Sequence, residues 1–322
     1  LKSQLVYALI GGAFAMLVGI LIPFEFYKRY AYIIFGGALA FTSLVFIPAL
    51  SRFHGGAHRW IDIGPFSLQP SEILKFSFVV FVAMWCSTYR HKFKDFKFGF
   101  LPYVSAVGLV SLIMLSQPDF GTFFVIGVSS FVVYFVGGAR KNHLLTLFLV
   151  GILGIVVLVS FRPYMMDRVT TFFDSSQDIR GSSWQLNQSL IAIGGGGVLG
   201  RGLGQSVQKF NYLPEPIGDS IFAVMAEELG FLGVIILIGF YGILGIRGYI
   251  ISINQESNFA MLLGIGIIAI ILAQATLNIS SMIGLTPLTG VPLPLVSHGG
   301  TALMVSLFEI GVLLNISKSR TI

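Results

Sequence analysis

The chain has 322 residues, of which 55% are hydrophobic and only 11% are charged. A soluble domain carries roughly 25% charged residues, so this composition excludes an ordinary soluble enzyme and predicts an integral membrane protein. The net charge of +6 does not indicate nucleic-acid binding, because the basic residues are spread over short segments between apolar runs.

Apolar runs of about 20 residues, the length of a helix that crosses a bilayer, recur along the chain. They predict an all-α fold, a polytopic helical bundle formed by residues 1–322 as a single membrane domain. We expect nine spans, at residues 4–22, 31–49, 72–88, 99–116, 121–138, 143–161, 219–246, 258–283 and 300–317.

Lysine and arginine predict the orientation of these spans. They concentrate in alternate segments such as 28–29, 90–97 and 140–141, which we therefore expect to be cytoplasmic. The long segment 162–218 is then an extracytoplasmic loop. Its apolar centre, residues 184–203, predicts a partly buried element.

The first polar constellation lies in HRWIDIGPFSLQPSEILK, residues 58–75. Glu72 and Lys75 share a helix face and predict either an ion pair with a snorkelling lysine or a ligand site. In the ligand site, Arg59 and Lys75 would hold a phosphate while Glu72 positions a cation or the substrate. Trp60 is either an interface anchor or a wall for a sugar or lipid.

Two further stretches carry polar groups. In QPDFGT, Asp119 is most simply a turn or cap residue. In the long loop, Arg168, Gln185 and Gln188 are suitable partners for phosphate and sugar hydroxyls. A solvated loop is an equal alternative for these three residues.

A glycine-dense stretch, residues 194–204, leads through LPEP to Asp219, where a long apolar helix is expected to begin. A carboxylate at the mouth of a membrane span is costly and usually functional, although an N-cap is the alternative for Asp219. Glu227 and Glu228 lie about two turns deeper and are expected to bond to neighbouring spans. We expect the glycine-dense stretch to move when substrate enters.

The loop 284–300 is rich in proline and glycine and enters the last span. It is expected to return to the membrane edge and to bring Ser297 and His298 near the same cavity. Within the last span, Glu309 has no partner that the sequence identifies.

Taken together, these residues resemble the SEDS family (shape, elongation, division and sporulation), whose members polymerise peptidoglycan from lipid II. The resemblance covers nearly the whole chain in family order and implies ten spans, the first of which is expected to precede residue 1. The matching stretches are HRWIDIGPFSLQPSEILK, QPDFGT, RVTTFFD, QLNQSLIAIGGGGVLGRGLGQSVQKFNYLPE, DSIFAVMAEELG and GLTPLTGVPLPLVSHGG.

The resemblance places the family's essential aspartate on Asp219, its glutamate and lysine on Glu72 and Lys75, and its arginine–tryptophan pair on Arg59 and Trp60. The chain departs from the family pattern at Ile217, Gly218, Ser220 and His298, which puts fine substrate positioning in doubt. The stretch GLGQSVQK is similar to the division branch, whereas PLTGVPLPLVS is shared with the elongation and sporulation branches. The division branch is favoured.

The implied activity is inverting β-1,4 transfer with release of undecaprenyl diphosphate, for which Asp219 is the expected general base. Mg²⁺ or Mn²⁺ is a candidate cofactor, and no organic cofactor is expected. The candidate cations for the leaving group are Arg59, Lys75, Arg201 and Lys209. The full set of predicted substrate-binding residues is Arg59, Trp60, Glu72, Lys75, Arg168, Gln185, Gln188, Arg201, Lys209, Glu215, Ser297 and His298.

The implied partners are lipid II, undecaprenyl-linked glycan, membrane lipid, a class B penicillin-binding transpeptidase and other cell-division proteins. The implied location is the bacterial plasma membrane, with the active site on its extracytoplasmic face. Two alternatives stay open. A lipid flippase or transporter would need a polar route through the bilayer, and the three spans from 99 to 161 that carry no charge count against one. A non-catalytic scaffold for the transpeptidase would not need Asp219.

Overall fold

Helices make up most of the chain, because a helix satisfies its own backbone groups where no water is present. The computed structural model describes residues 10–54, 57–63, 66–161, 163–173 and 182–318. The helices are α1 (Ala13–Leu21), α2 (Phe24–Ser43), α3 (Pro70–Thr88), α4 (Leu101–Ser116), α5 (Phe120–Val136), α6 (Lys141–Phe161), α7 (Pro163–Phe173), α8 (Ser182–Gly196), α9 (Gln208–Asn211), α10 (Ile221–Ile253), α11 (Asn258–Met282) and α12 (Gly300–Lys318).

Within the described residues, seven helical segments are long and apolar enough to cross a membrane. Two shorter apolar helices, Ile10–Leu21 and Phe120–Val136, accompany them, so nine apolar helices stand where nine spans were predicted. The predicted helical membrane fold is therefore confirmed. The seven segments are Phe24–Phe46, Pro70–Thr88, Phe96–Ser116, Lys141–Phe161, Ile221–Ile253, Asn258–Met282 and Gly300–Lys318.

A small antiparallel sheet, which the sequence analysis missed, precedes α3. Its strands are β1 (Ser51–His54), β2 (Ala57–Ile63) and β3 (Phe66–Leu68), in the order β1-β2-β3. Ile61 pairs with Ser51 on one side and with Leu68 on the other. The central strand therefore carries both Arg59 and Trp60, with Trp60 paired to Arg52 and Arg59 at the point where the register with β1 shifts.

The chain divides into two compact units, and the first comprises residues 1–140, 244–273 and 299–322. In this unit α1 and α12 approach so closely that side chains are excluded at the crossing. A Cβ at Gly19 would lie 2.5 Å from Phe308 O, and one at Gly311 would lie 2.3 Å from Met16 O. Small residues allow this close backbone contact between membrane helices.

The second unit comprises residues 141–243 and 274–298. Within it, a small apolar cluster joins α8 to the first turn of α10 through Ala192, Leu213, Ala223 and Val224. The predicted partly buried element in the long loop therefore exists as α8. The cluster also fixes the chain on both sides of Asp219.

Candidate active site

Asp219 lies in a turn formed by residues 216–220, immediately before α10. Ser220, not Asp219, occupies the N-cap position, since its carbonyl accepts the first helical bond from Ala223 N at 3.0 Å. The Ser220 hydroxyl donates to Pro214 O at 2.9 Å and closes the turn. The alternative that Asp219 is an ordinary N-cap is therefore wrong.

Three consecutive carbonyl groups of this turn accept hydrogen bonds from α11 and from the loop that follows it. Such bonds fix the backbone from which the carboxylate projects, and a reacting group needs that precision. The three bonds run from His298 N to Ile217 O, from Ser297 Oγ to Gly218 O and from Asn278 Nδ2 to Asp219 O, each at 2.8 Å.

Asn278 is a positioning residue that the sequence analysis missed. Besides Asp219 O, its Nδ2 donates to Val291 O at 2.7 Å, so one amide joins the turn to the loop after α11. Gln274, one turn earlier on α11, donates from Nε2 to Pro292 O at 3.0 Å. Two amides four residues apart within an apolar span place both on one helix face, and this spacing was the available signal.

The half-buried carboxylate of Asp219 meets the backbone of the 284–299 loop at Gly290. A Cβ at Gly290 would lie 3.2 Å from Asp219 Oδ2. Gly290 also has a φ of 68°, in the left-handed region that favours glycine. A side chain at residue 290 would therefore be strained and would crowd the carboxylate of Asp219.

Three predicted polar residues lie on α7 and α8, and two of them contact the turn or the 284–299 loop. The Arg168 guanidinium donates to Leu288 O in the 284–299 loop. Gln185 Nε2 donates to Ser220 Oγ at 3.0 Å, and Gln188 is buried. These contacts brace the turn and the loop, and the predicted role of the three residues in substrate binding stays a prediction.

Ser297 and His298 also support the turn. The Ser297 hydroxyl accepts from Leu293 N at 2.7 Å in addition to donating to the turn, so its hydrogen-bonding capacity is largely used within the protein. The His298 side chain differs, since its Nδ1 is buried and has no hydrogen-bond partner among the described residues. Ligand binding by Ser297 and His298 stays a prediction.

The long helix α10 is broken at Gly230, which has φ 69° and ψ −167°. The glycine-dense segment docks into the break and replaces the missing helical bonds. A Cβ at Gly230 would lie 2.2 Å from Gly200 N, so the two backbones meet without side chains between them. The replacement bonds are Arg201 N to Glu227 O (2.9 Å), Gly202 N to Glu228 O (3.0 Å), Phe231 N to Gly197 O (2.9 Å) and Leu232 N to Val198 O (3.2 Å).

Two ion pairs hold the same segment. Lys209 Nζ lies 2.5 Å from Glu228 Oε1, and Arg201 lies 3.4 Å from Glu227 Oε1. The expectation that the glutamates bond to neighbouring spans is therefore wrong, because they bond to the segment that leads to Asp219. The Arg201 side chain is 44% exposed and remains accessible to an anion.

These bonds also bear on the expected movement of residues 194–204. Backbone bonds at the helix break and carboxylate bonds from Glu228 to Gly204 N and Ser206 N fasten the segment at several points. Opening it would break all of these bonds together. The segment therefore fills the break in α10 in this structure, and its movement to admit substrate or release polymer stays a prediction.

In the first unit, Glu72 and Lys75 form an ion pair at 2.8 Å, with both side chains 1% exposed. The predicted ion pair is present, but the lysine is buried and does not snorkel. Arg59 is half-buried and donates to Gln117 O at 3.2 Å, and Trp60 is half-buried on β2. Ligand binding by these four residues stays a prediction, and Arg59 and Trp60 are its more accessible members.

Asp119 is the N-cap of α5, as predicted for a turn or cap residue. Its Oδ1 accepts from Thr122 N at 3.3 Å, while Oδ2 accepts from Ser71 Oγ at 3.2 Å and from Gln69 Nε2 at 3.4 Å. The carboxylate therefore ties the start of α3 to the start of α5.

In the part of the chain that the structure describes, no group of three or more His, Cys, Asp or Glu side chains could hold a metal ion. Mg²⁺ is usually bound by carboxylates together with substrate phosphates, and these residues form no protein cage for it. A requirement for Mg²⁺ or Mn²⁺ stays a prediction.

The family model described as "Cell cycle protein" (FtsW, RodA and SpoVE) matches residues 1–322. Stage V sporulation protein E of Bacillus subtilis (strain 168) is 38% identical over 317 residues, which cover 98% of this chain and 86% of that protein. The protein named probable peptidoglycan glycosyltransferase FtsW of Geobacter sp. (strain M18) is 36% identical, with the same two coverages.

Solved structures agree with these relatives. A chain from a structure described as "Structural coordination of polymerization and crosslinking by a peptidoglycan synthase complex" has a TM-score of 0.82 and 28% identity, covering 99% of this chain and 89% of that chain. Rod shape determining protein RodA of Thermus thermophilus has a TM-score of 0.72 and 25% identity, with coverages of 99% and 87%.

Proposed function

This chain belongs to the FtsW, RodA and SpoVE family of multi-pass membrane proteins, and we propose that it is a peptidoglycan glycosyltransferase that polymerises lipid II. We further propose that it acts in septal wall synthesis, because the family model is described as a cell cycle protein and a relative with 36% identity is named FtsW. A role in sporulation is the alternative, since a sporulation protein is 38% identical to this chain.

The observation that carries the proposal is the support given to Asp219. Its backbone carbonyl and those of the two preceding residues are held from α11 and from the following loop, while its carboxylate stays half-buried beside Gly290. A general base needs such fixed placement within hydrogen-bond distance of the proton it removes. A carboxylate used only for helix capping would need no support from two other segments.

In the proposed reaction, Asp219 removes the proton from the 4-hydroxyl group of the acceptor sugar. The freed oxygen attacks the anomeric carbon of the donor, forming a β-1,4 bond as the bond to the diphosphate oxygen breaks. A single displacement inverts the configuration at the anomeric carbon of the donor, so no covalent intermediate with the enzyme is required. Undecaprenyl diphosphate leaves with the bonding electrons.

The leaving group gains negative charge that basic residues can stabilise. Arg201 is the best candidate in the second unit, because its side chain is 44% exposed and its partner Glu227 lies at 3.4 Å, beyond a short hydrogen bond. Lys209 is held more tightly by Glu228 at 2.5 Å. We therefore assign diphosphate contact to Arg201 before Lys209.

We propose that the partner is a class B penicillin-binding transpeptidase and that the sugars meet on the extracytoplasmic face. The structural neighbour from a peptidoglycan synthase complex supports a partner that cross-links what this chain polymerises. The lysine and arginine distribution supports the assigned face, since it leaves the segment before Asp219 outside.

The test is glycan polymerisation from fluorescent lipid II by the purified chain with its transpeptidase. Asp219→Asn keeps the shape of the side chain but removes its basicity, so polymer should fall by about 10²–10⁴-fold. Asp62→Asn, at an exposed carboxylate on β2, is the control and should leave the product ladder unchanged.

Equal ladders from wild type and Asp219→Asn would contradict the general base and favour a scaffold. Transfer of lipid II between leaflets without any polymer would favour a transporter.

A further inference from the structure

Glu309 is a buried acid in the middle of α12 that the proposed reaction does not use. Its side chain is 0% exposed, and neither carboxylate oxygen has a hydrogen-bond partner among the described residues. Removing a charged carboxylate from water without donors to replace the water costs several kcal/mol, whereas the neutral acid avoids most of that cost.

The groups that face Glu309 do not supply the missing bonds. The charges that act on it are those of Lys75 and Glu72 on α3, and Lys75 is already bonded to Glu72 at 2.8 Å. On α2, the Tyr27 ring packs edge-on against Phe308, the residue before Glu309, and its buried hydroxyl has no hydrogen-bond partner among the described residues.

Two other elements packed on α12, namely α1 and β3, carry no ionisable side chain. The helices α10 and α11 approach Leu313 of α12 at Gly248 and Gly264. Helix α11 carries no ionisable side chain, and the α10 neighbours of Gly248, Arg247 and Tyr249, are exposed.

Glu227 provides the contrast, because it is almost equally buried, at 1% exposed. Its carboxylate accepts from Ser206 Oγ at 2.5 Å, from Val207 N at 3.1 Å and from Gln208 N at 3.3 Å, and it also pairs with Arg201. Several donors and a cation can hold a charge in a buried place. Burial is nearly the same for Glu227 and Glu309, so the difference between them is the number of hydrogen-bond donors that each carboxyl group has.

We propose that Glu309 is a proton-binding site whose carboxyl group stays protonated at neutral pH, so that it adds no second negative charge beside the buried Glu72–Lys75 pair. If Glu309 lost its proton, two carboxylates would compete for one buried ammonium group. Because Lys75 is a predicted substrate-binding residue, the consequence for catalysis rests on the proposed function. The claim that Glu309 holds a proton does not depend on that function.

Infrared difference spectra of the full chain test the proton directly. Wild type minus Glu309→Gln at neutral pH should contain the carbonyl stretch of a protonated carboxylic acid, whereas wild type minus Glu227→Gln should contain only carboxylate bands. A carboxylate band lost in Glu309→Gln, or a protonated-acid band lost in Glu227→Gln, would overturn the proposal. No enzymatic activity enters this measurement, so its failure differs from failure of the glycosyltransferase assignment.

Thermal unfolding as a function of pH gives a second measurement of the same proton. As pH rises above the ordinary pKa of glutamate, the unfolded chain releases this proton while the folded chain keeps it, so the unfolding midpoint of wild type should fall relative to that of Glu309→Gln until the acid band disappears. The expected Glu309→Gln curve lacks this fall. Identical curves for the two proteins would overturn the proposal.

Discussion

Replacing Asn278 by alanine should impair both stability and catalysis, because its amide holds the backbone of Asp219. The substitution removes the bonds to Asp219 O at 2.8 Å and to Val291 O at 2.7 Å. Each bond contributes about 1 kcal/mol net, and a buried carbonyl left without a donor costs about 1–3 kcal/mol. We therefore expect the free energy of unfolding to fall by about 2–4 kcal/mol.

Asn278→Ala should also slow catalysis, because the position of Asp219 depends on this bond. Loss of the bond lets Asp219 shift, and a displacement on the order of 1 Å can reduce a rate about 10²-fold. The assay is polymerisation of lipid II per folded molecule, with folding measured by unfolding in detergent. Gln274→Ala is the matched control, since Gln274 bonds to Pro292 O in the same loop, whereas Asn278 bonds to the backbone carbonyl of Asp219.

Gln274→Ala should reduce stability by a comparable or smaller amount but should leave most of the activity per folded molecule. Equal activity losses for Asn278→Ala and Gln274→Ala would refute the reasoning, because the loop alone would then account for both effects.

Two further predictions concern the filled break in α10. Gly230→Ala should lower the free energy of unfolding by about 1–3 kcal/mol, since the residue has φ 69° and a Cβ there would lie 2.2 Å from Gly200 N. Gly239→Ala, where a Cβ meets nothing within 4 Å, should instead be neutral or stabilising by about 0.5–1 kcal/mol, and chemical unfolding distinguishes the two outcomes. A double-mutant cycle with Lys209→Met and Glu228→Gln should give a coupling of about 1 kcal/mol, whereas zero coupling would mean that this pair does not hold the segment.

The membrane helices could be predicted because their signal is local. A run of about 20 apolar residues specifies a span wherever it lies, and most predicted limits fall within a few residues of the observed ones. There are two exceptions. Helix α10 ends at Ile253 where the prediction ended at residue 246, and α2 begins at Phe24 where the prediction began at residue 31. Its first turns carry Lys28 and Arg29, which were taken as loop residues, although Tyr27 beside them is buried.

The β1–β3 sheet and the break at Gly230 could not be predicted in the same way. Strand pairing depends on which segments meet, and the short strand Ala57–Ile63 has no long alternating pattern. A glycine inside an apolar helix is common, and only the docking of the 197–202 backbone makes Gly230 a break.

At the candidate site, the sequence identified the candidate base but not the residues that position it. Asp219 was found as a carboxylate at the mouth of a span. Asn278 and Gly290, which position the aspartate and make room beside it, lie far from it in the chain and became visible only through their contacts.

The most direct test of Asp219 as the general base is a structure of the complex with lipid-linked donor and acceptor bound. The quantity to measure is the distance from the Asp219 carboxylate oxygen to the oxygen of the acceptor 4-hydroxyl group. We predict about 2.6–3.2 Å, or one bridging water. An acceptor hydroxyl bonded to a different base, with Asp219 outside the reach of one water, would contradict the proposed mechanism.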